Sequence, residues 1–225
     1  MKKYTDIFID FDDTVLDFKK GQHDALFAAC DEYGLKICEE DYKVYDGINK
    51  ESWKRYERGE IEKNEMLVNR YKAFLAYKKV DGDPSALNEL YAKHLAMQGC
   101  LLPGAKEGLI YLKKKYRLHL ITNGNVASQR GRLKAAGLDT FFDNVFISDE
   151  IGFRKPQKEF FTYALEKSGA PKETSLVVGD SPSSDILGAK NVGLDAVLFD
   201  LKNTAVCPYP YLKKIFDWNG LCSYL

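Results

Sequence analysis

The segment FIDFDDTVLD sets aspartates at positions 10, 12, 13 and 17 directly behind an apolar run. In extended backbone, residues two apart emerge on the same side, so Asp10 and Asp12 should bring two carboxylates to one mouth while Phe11 faces the other way. Like charges so close repel unless a cation neutralises them. A second acidic pair, Asp180 and Asp185 in GDSPSSD, follows another apolar burst much later in the chain. The two pairs together make an oxygen-rich set suited to Mg²⁺. A single strand-end aspartate commonly caps a turn or the next helix. Here capping has to account for four of them.

Something must bring these segments together. Apolar bursts at residues 7–11, 118–122, 145–148, 176–179 and 196–199, with helical patterns between the last four, read as β-α-β units. The fold class is therefore α/β, a doubly wound, Rossmann-like parallel sheet with helices on both faces. The ligand crevice of such a sheet lies beyond the carboxyl ends of its strands. The residues there are Asp10, Asp12, Asp13 and Thr14, then ITNGN, then DEIGFRKP, then GDSPSSD. Between the first burst and the rest, helical periodicity takes over in DALFAACDEYG, NKESWKRYERG, NEMLVNRYKAFLAYKK and SALNELYAKHLA, divided by Gly, Asp or Pro. This predicts an inserted α-helical domain over residues 17–97 and a core made of residues 1–16 and 98–225. The connections fall near 16–21 and 97–103. The tail from residue 202 is compatible with an edge strand and a closing helix.

Composition excludes several classes. The 33 Lys and Arg balance the 33 Asp and Glu, so no net field favours a nucleic-acid polymer or an anionic membrane. Any phosphate preference must be local. The five cysteines are scattered without CxxC spacing and the three histidines lie far apart, which argues against zinc or a disulfide framework and for a reducing, cytoplasmic setting. Aspartates interrupt the only stretch that imitates a signal peptide. No run approaches the roughly 20 apolar residues of a membrane span.

DFDDTVLD, ITNG, GFRKP and GDSPSSDI, in this order and spacing, resemble the four motifs of the haloacid dehalogenase-like (HAD) hydrolase superfamily, whose members also insert a helical cap after the first motif. The resemblance implies that Asp10 is the nucleophile and forms an aspartyl-phosphate. It implies that Asp12 is the general acid and then the general base, with its backbone carbonyl at the metal. Thr122 and Asn123 become donors to phosphoryl oxygens, although TNGN also suits an ordinary strand-end turn. Lys155 sets its ammonium against the nucleophile and the phosphoryl group, where an isolated lysine would be read as surface. Asp180 is a ligand of Mg²⁺, and Asp185 is either a ligand through water or an organiser of Lys155. Thr14 fixes its loop or touches phosphate, Asp13 is structural, and Asp6 and Asp17 are solvated or capping.

Within the superfamily, the dehalogenase branch typically lacks a carboxylate two residues beyond its nucleophile, so Asp12 favours phosphoryl chemistry. The cap stretch YDGINKESWKRYERGEI and the flanking core segments resemble the pyrimidine-nucleotidase branch, which implies a small-molecule phosphate substrate, a nucleoside 5′-monophosphate. Asn49, Lys50, Trp53 and Tyr56 recur at helical spacing and could share a base-binding face; the alternative is packing inside the cap, for Trp53 above all. Other readings are a sugar- or metabolite-phosphate phosphatase or phosphomutase, a haloacid dehalogenase, and a non-catalytic binding protein. A cap that closes over substrate and reopens at each turnover is expected.

Overall fold

The computed structural model describes residues 4–225. In chain order its elements are β1 (Asp6–Asp10), α1 (Phe18–Tyr33), α2 (Glu39–Glu57), α3 (Lys63–Lys78), α4 (Pro84–Leu95), α5 (Ala105–Lys113), β2 (Arg117–Thr122), α6 (Val126–Ala135), β3 (Asn144–Ile147), α7 (Ser148–Ile151), α8 (Lys158–Ser168), β4 (Ser175–Gly179), α9 (Leu187–Val192), β5 (Asp195–Phe199), β6 (Lys213–Ile215) and α10 (Trp218–Tyr224). The chain divides into two compact units, one running up to Phe18 and again from Gly99 to Leu225, the other Lys19–Gln98.

The first unit is a six-stranded sheet in the order β3-β2-β1-β4-β5-β6 with every neighbouring pair parallel. Alternation along the strands divides the core in two. Ile7, Ile9, Leu118, Leu120, Leu176 and Val178 face one way, against Leu109 and Leu112 of α5, Leu133 of α6 and Trp218 and Leu221 of α10. Phe8, Ile121, Phe146 and Val177 face the other, against Phe160, Phe161 and Ala164 of α8 and Ala189 of α9. Strands covered on both faces are continuously apolar, which is why the bursts stood out. From β1 the sheet runs outward through β2 to β3 on one side and through β4 to β6 on the other, so the winding reverses between β1 and β4. Such a switch point leaves a crevice at the strands' carboxyl ends, here Asp10 and Gly179.

The tail supplies the expected edge strand and closing helix, β6 and α10. It also reaches toward the crevice: Trp218, 1% exposed, donates from Nε1 to the Thr14 carbonyl at 3.0 Å and so pins the segment after β1. Asp6 is a correction. Expected to be solvated or capping, it is fully buried at the start of β1, where its carboxylate accepts from Thr5 Oγ1 (2.7 Å), pairs with Arg117 (2.8 Å) and meets His119 Nε2 (2.9 Å). A buried carboxylate survives only with such partners.

The second unit holds most of α1 together with α2 to α4. Its interior is aromatic, with Tyr45, Tyr71, Phe74 and Tyr91 in mutual ring contact and the Tyr45 and Tyr71 hydroxyls 2.7 Å apart. Helix ends follow local chemistry. Asp83 caps α4 by accepting from Ser85 N, with Pro84 in the first turn, and α2 opens on Glu39, Glu40 and Asp41, whose charges suit a helix N-terminus. That acidic opening is why α2 begins well before the NKESW stretch that marked it in the sequence. Among the described residues no helix is long and apolar enough to cross a membrane.

Candidate active site

Asp10 closes β1 and is 5% exposed. Lys155, in the loop between α7 and α8, is 2% exposed, and its Nζ donates to Asp10 Oδ1 at 2.5 Å, to Asp185 Oδ1 at 2.7 Å and to the Ile121 carbonyl at 3.3 Å. The expected surface alternative for this lysine is therefore excluded. Asp180 follows β4 directly. Asp185 lies in a wide helical turn, Pro182–Ile186, and its Oδ2 accepts from Ser181 N at 3.1 Å. The approach of this turn to β4 depends on Gly179, where a Cβ would lie 2.3 Å from Asp185 Oδ2.

Asp10, Asp180 and Asp185 each present an oxygen within 4.8 Å of the other two. At that separation two unit charges repel by about 3.5 kcal/mol at an effective dielectric of roughly 20. Three carboxylates face one ammonium, so the cluster is short of positive charge. Burial, with the charges of Asp185 and Asp12, pushes the Asp10 carboxyl up to about 8 against the pull of Lys155. Burial and the charges of Asp10, Asp185 and Asp13 raise Asp180 well above the carboxylate range. For Lys155, desolvation is outweighed by Asp10 and Asp185, which hold the ammonium charged. This all-oxygen, charge-deficient donor set fits a hard divalent cation such as Mg²⁺.

The raised carboxyls carry a stability prediction. A carboxyl whose folded value lies above its unfolded one contributes stability at low pH that is lost as pH rises through the folded value. Without divalent cation, the melting temperature should therefore fall as pH climbs from about 4 to about 8, with Lys155 silent because its transition lies above this window. Millimolar Mg²⁺ should flatten the fall. Thermal melts at several pH values in EDTA and in Mg²⁺ check this; coincident curves at pH 8 would contradict it.

Asp12 takes different partners from Asp10. Since β1 ends at Asp10, the strand's alternation no longer governs residue 12, and the expected pairing of both carboxylates in one mouth gives way to two sets of contacts. Asp12 forms an ion pair with Arg132 Nη1 and accepts from Gln129 Nε2 at 2.9 Å. Its carboxylate is not among the three clustered oxygens. Thr122 Oγ1 accepts from Gln129 Nε2 (2.8 Å) and from Gly124 N (3.3 Å), which leaves its own proton to donate.

Asn123 has a partner that the sequence did not suggest. Its amide brackets the Lys155 backbone, donating to the Lys155 carbonyl at 2.9 Å and accepting from Lys155 N at 2.8 Å, so the side chain locks the lysine loop. The three candidates of the helical unit do not share one face. Asn49, 2% exposed, donates to Gln22 Oε1 (3.1 Å) and accepts from Arg70 Nη1 (2.6 Å). Lys50 lies on the exposed side, paired with Asp46. Trp53 is only partly buried, edge-on to Tyr56, so the more deeply packed residues are Asn49 and Tyr56. The physical reason is helical geometry: Asn49, Trp53 and Tyr56 follow one stripe, and Lys50 sits a quarter-turn away.

Sequence reasoning missed Gln129 and Arg132. The signal in the sequence was slight: in VASQRGRLKA, Gln129 stands three residues before Arg132 and four before Leu133, where an amphipathic helix usually has apolar residues, and the structure shows that stripe buried.

Comparison with known proteins accords with this arrangement. A family model described as haloacid dehalogenase-like hydrolase matches residues 7–193. The pyrimidine 5′-nucleotidase YjjG of Escherichia coli is 35% identical over 85% of this chain and 84% of its own. The glyceraldehyde 3-phosphate phosphatase of Methanothermobacter thermautotrophicus is 33% identical over 88% and 86%. The HAD-hydrolase YfnB of Bacillus subtilis is 32% identical over 87% and 83%. A crystal structure of YfnB bound to magnesium, described as revealing interdomain movement, superposes with a TM-score of 0.95 over 99% of both chains at 29% identity. With its four strand-end motifs gathered at one switch point and a family match across most of its length, this chain belongs to the haloacid dehalogenase-like hydrolase family.

Proposed function

We propose that the protein is a Mg²⁺-dependent phosphatase that hydrolyses a nucleoside 5′-monophosphate through an aspartyl-phosphate on Asp10. The observation that carries the reading is the buried Asp10–Lys155–Asp185 contact beside Asp180, with a second carboxylate two residues beyond the nucleophile. Asp10, Asp180 and Asp185 would hold the cation, which supplies charge neutralisation for the approach of one anion to another. Asp10 attacks phosphorus as the bond to the leaving oxygen breaks, and Asp12 delivers its proton to that oxygen. Asp12 then takes a proton from the water that attacks the aspartyl-phosphate, which releases inorganic phosphate and restores Asp10. Lys155 stays charged throughout and offsets the negative charge on the phosphoryl oxygens, while Thr122 donates its hydroxyl proton to one of them.

The nucleotide assignment is supported by the similarity to YjjG across both units. The comparable similarity to a glyceraldehyde 3-phosphate phosphatase supports a second reading, a sugar-phosphate substrate. The four-helix unit serves as the cap, and the five free cysteines accord with a reducing, cytoplasmic setting. A panel of nucleoside monophosphates, sugar phosphates and a haloacid, assayed with Mg²⁺ for released phosphate or halide, tests this. Pyrimidine nucleoside monophosphates should show the highest kcat/KM. A preference for triose or hexose phosphates would favour the second reading, and no phosphate release from any ester would overturn both.

A further inference from the structure

We infer that Arg132 and Gln129 are positioning residues for Asp12, holding its carboxylate on the leaving-group side of the site. This rests on the phosphatase reading, in which Asp12 is the acid and base.

Asp12 lies beyond the end of β1, in a single bridge to Leu16, and its side chain is 31% exposed, so neither the alternation of β1 nor burial sets its rotamer. Two α6 side chains do. Arg132 Nη1 pairs with one carboxylate oxygen, Gln129 Nε2 donates to the other at 2.9 Å, and Arg132 Nη1 also donates to Gln129 Oε1 at 3.1 Å, closing a three-residue ring. A carboxylate gripped at both oxygens loses its torsional freedom. The same Gln129 Nε2 donates to Thr122 Oγ1, so one amide fixes the spacing between Asp12 and Thr122. Gly124 makes room for it, since a Cβ there would lie 2.1 Å from Gln129 Nε2.

Arg132 itself points to this role. It is 1% exposed, its guanidinium lies over the rings of Phe11 and Phe18 at 5.4 and 5.3 Å, and its Nε and Nη2 have no acceptor. Asp12 is the carboxylate it meets. Burying a guanidinium is costly, and an apolar side chain of similar volume would pack as well between two phenyl rings. Its retention there is explained by what it holds. The hydrogen bonds of Lys155 run instead to Asp10 and Asp185, so different sets of groups hold the two carboxylates of the first motif, one for the nucleophile and one for the proton carrier.

Leaving-group dependence tests the inference. In the first half-reaction an alkoxide leaving group needs the Asp12 proton, whereas p-nitrophenolate departs without it, and kcat/KM reports that step. Arg132→Met should lower kcat/KM for an alkyl phosphate, a nucleoside monophosphate or whichever ester the panel favours, on the order of 10²-fold, the usual penalty for a loosened catalytic group. The value for p-nitrophenyl phosphate should fall less than about threefold, since the acid contributes little there. In an Asp12→Asn background the same substitution should change neither appreciably, because the group it positions has gone. Should Arg132→Met fail to fold, Gln129→Leu, which leaves no buried charge unpaired, should give the same selective loss. Equal losses on both esters, full additivity with Asp12→Asn, or a faster enzyme would overturn the inference. A wild-type protein that hydrolyses neither ester would instead overturn the phosphatase reading.

Discussion

Asp10→Asn is expected to lower turnover of any phosphate ester by about four orders of magnitude or more, the scale seen when a nucleophile is removed from a covalent mechanism. An amide does not attack phosphorus and leaves the cation one carboxylate short. The expected fold of the variant is unimpaired. Burial first, then the charges of Asp185 and Asp12, raise the proton affinity of Asp10, so replacing it by a neutral isostere relieves both while Lys155 keeps Asp185 as partner. In EDTA at pH 8 the variant should thus melt no lower than the wild type. Acid-quenched reactions with ³²P-labelled substrate should trap a phosphoprotein with the wild type and none with the variant. A variant retaining a tenth of the wild-type rate would remove Asp10 from the nucleophile's role.

Lys155→Met acts at the other end of the same 2.5 Å contact and should move stability the opposite way. It leaves Asp10 and Asp185 facing each other without their ammonium, and breaking a buried pair by deleting one partner costs roughly 3–5 kcal/mol. At 2–4 °C per kcal/mol for a chain of this size, the melting temperature should drop on the order of 10 °C. Activity should fall about 10² to 10³-fold through lost stabilisation of phosphoryl charge. Mg²⁺ should recover part of the lost stability by supplying positive charge to the same cluster. Melts in EDTA and in Mg²⁺, with kcat on one ester, give both answers. An unchanged melting temperature would mean that the lysine does not carry the charge balance assigned to it.

The pair of variants separates two properties of one cluster. In the proposed mechanism Asp10 would serve chemistry at a cost to the metal-free fold, whereas Lys155 would serve both. A structural carboxylate such as Asp6 behaves otherwise: its contacts with His119, Thr5 and Arg117 outweigh desolvation and hold its carboxyl below the usual range. Burial alone therefore does not distinguish a functional aspartate in this protein; the balance of partners does.

Apolar bursts located β1 to β5 to within a residue of where they lie, and helical periodicity located the insert, but the edge strand β6 was placed no more closely than in the tail; Asp10 and Asp180 stand at strand ends, with Asp185 and Lys155 in the segments that follow β4 and β3. These follow from local rules: a buried parallel strand is apolar throughout, an amphipathic helix repeats every 3.6 residues, and crevices form at the carboxyl ends of wound strands. Which polar groups hold one another could be seen only once the chain was folded. Arg132 lies 120 residues from Asp12, and nothing in the intervening chain marks the two as partners. Asn123 turned to the Lys155 backbone 32 residues on, Asn49 to Gln22 and Arg70, and Asp6 to His119 113 residues away. A hydrogen bond is formed by whatever the packing of distant elements brings within about 3 Å, and desolvation then makes that pairing obligatory. Periodicity and residue type carry the first kind of information along the chain, and the second exists only once the chain has folded.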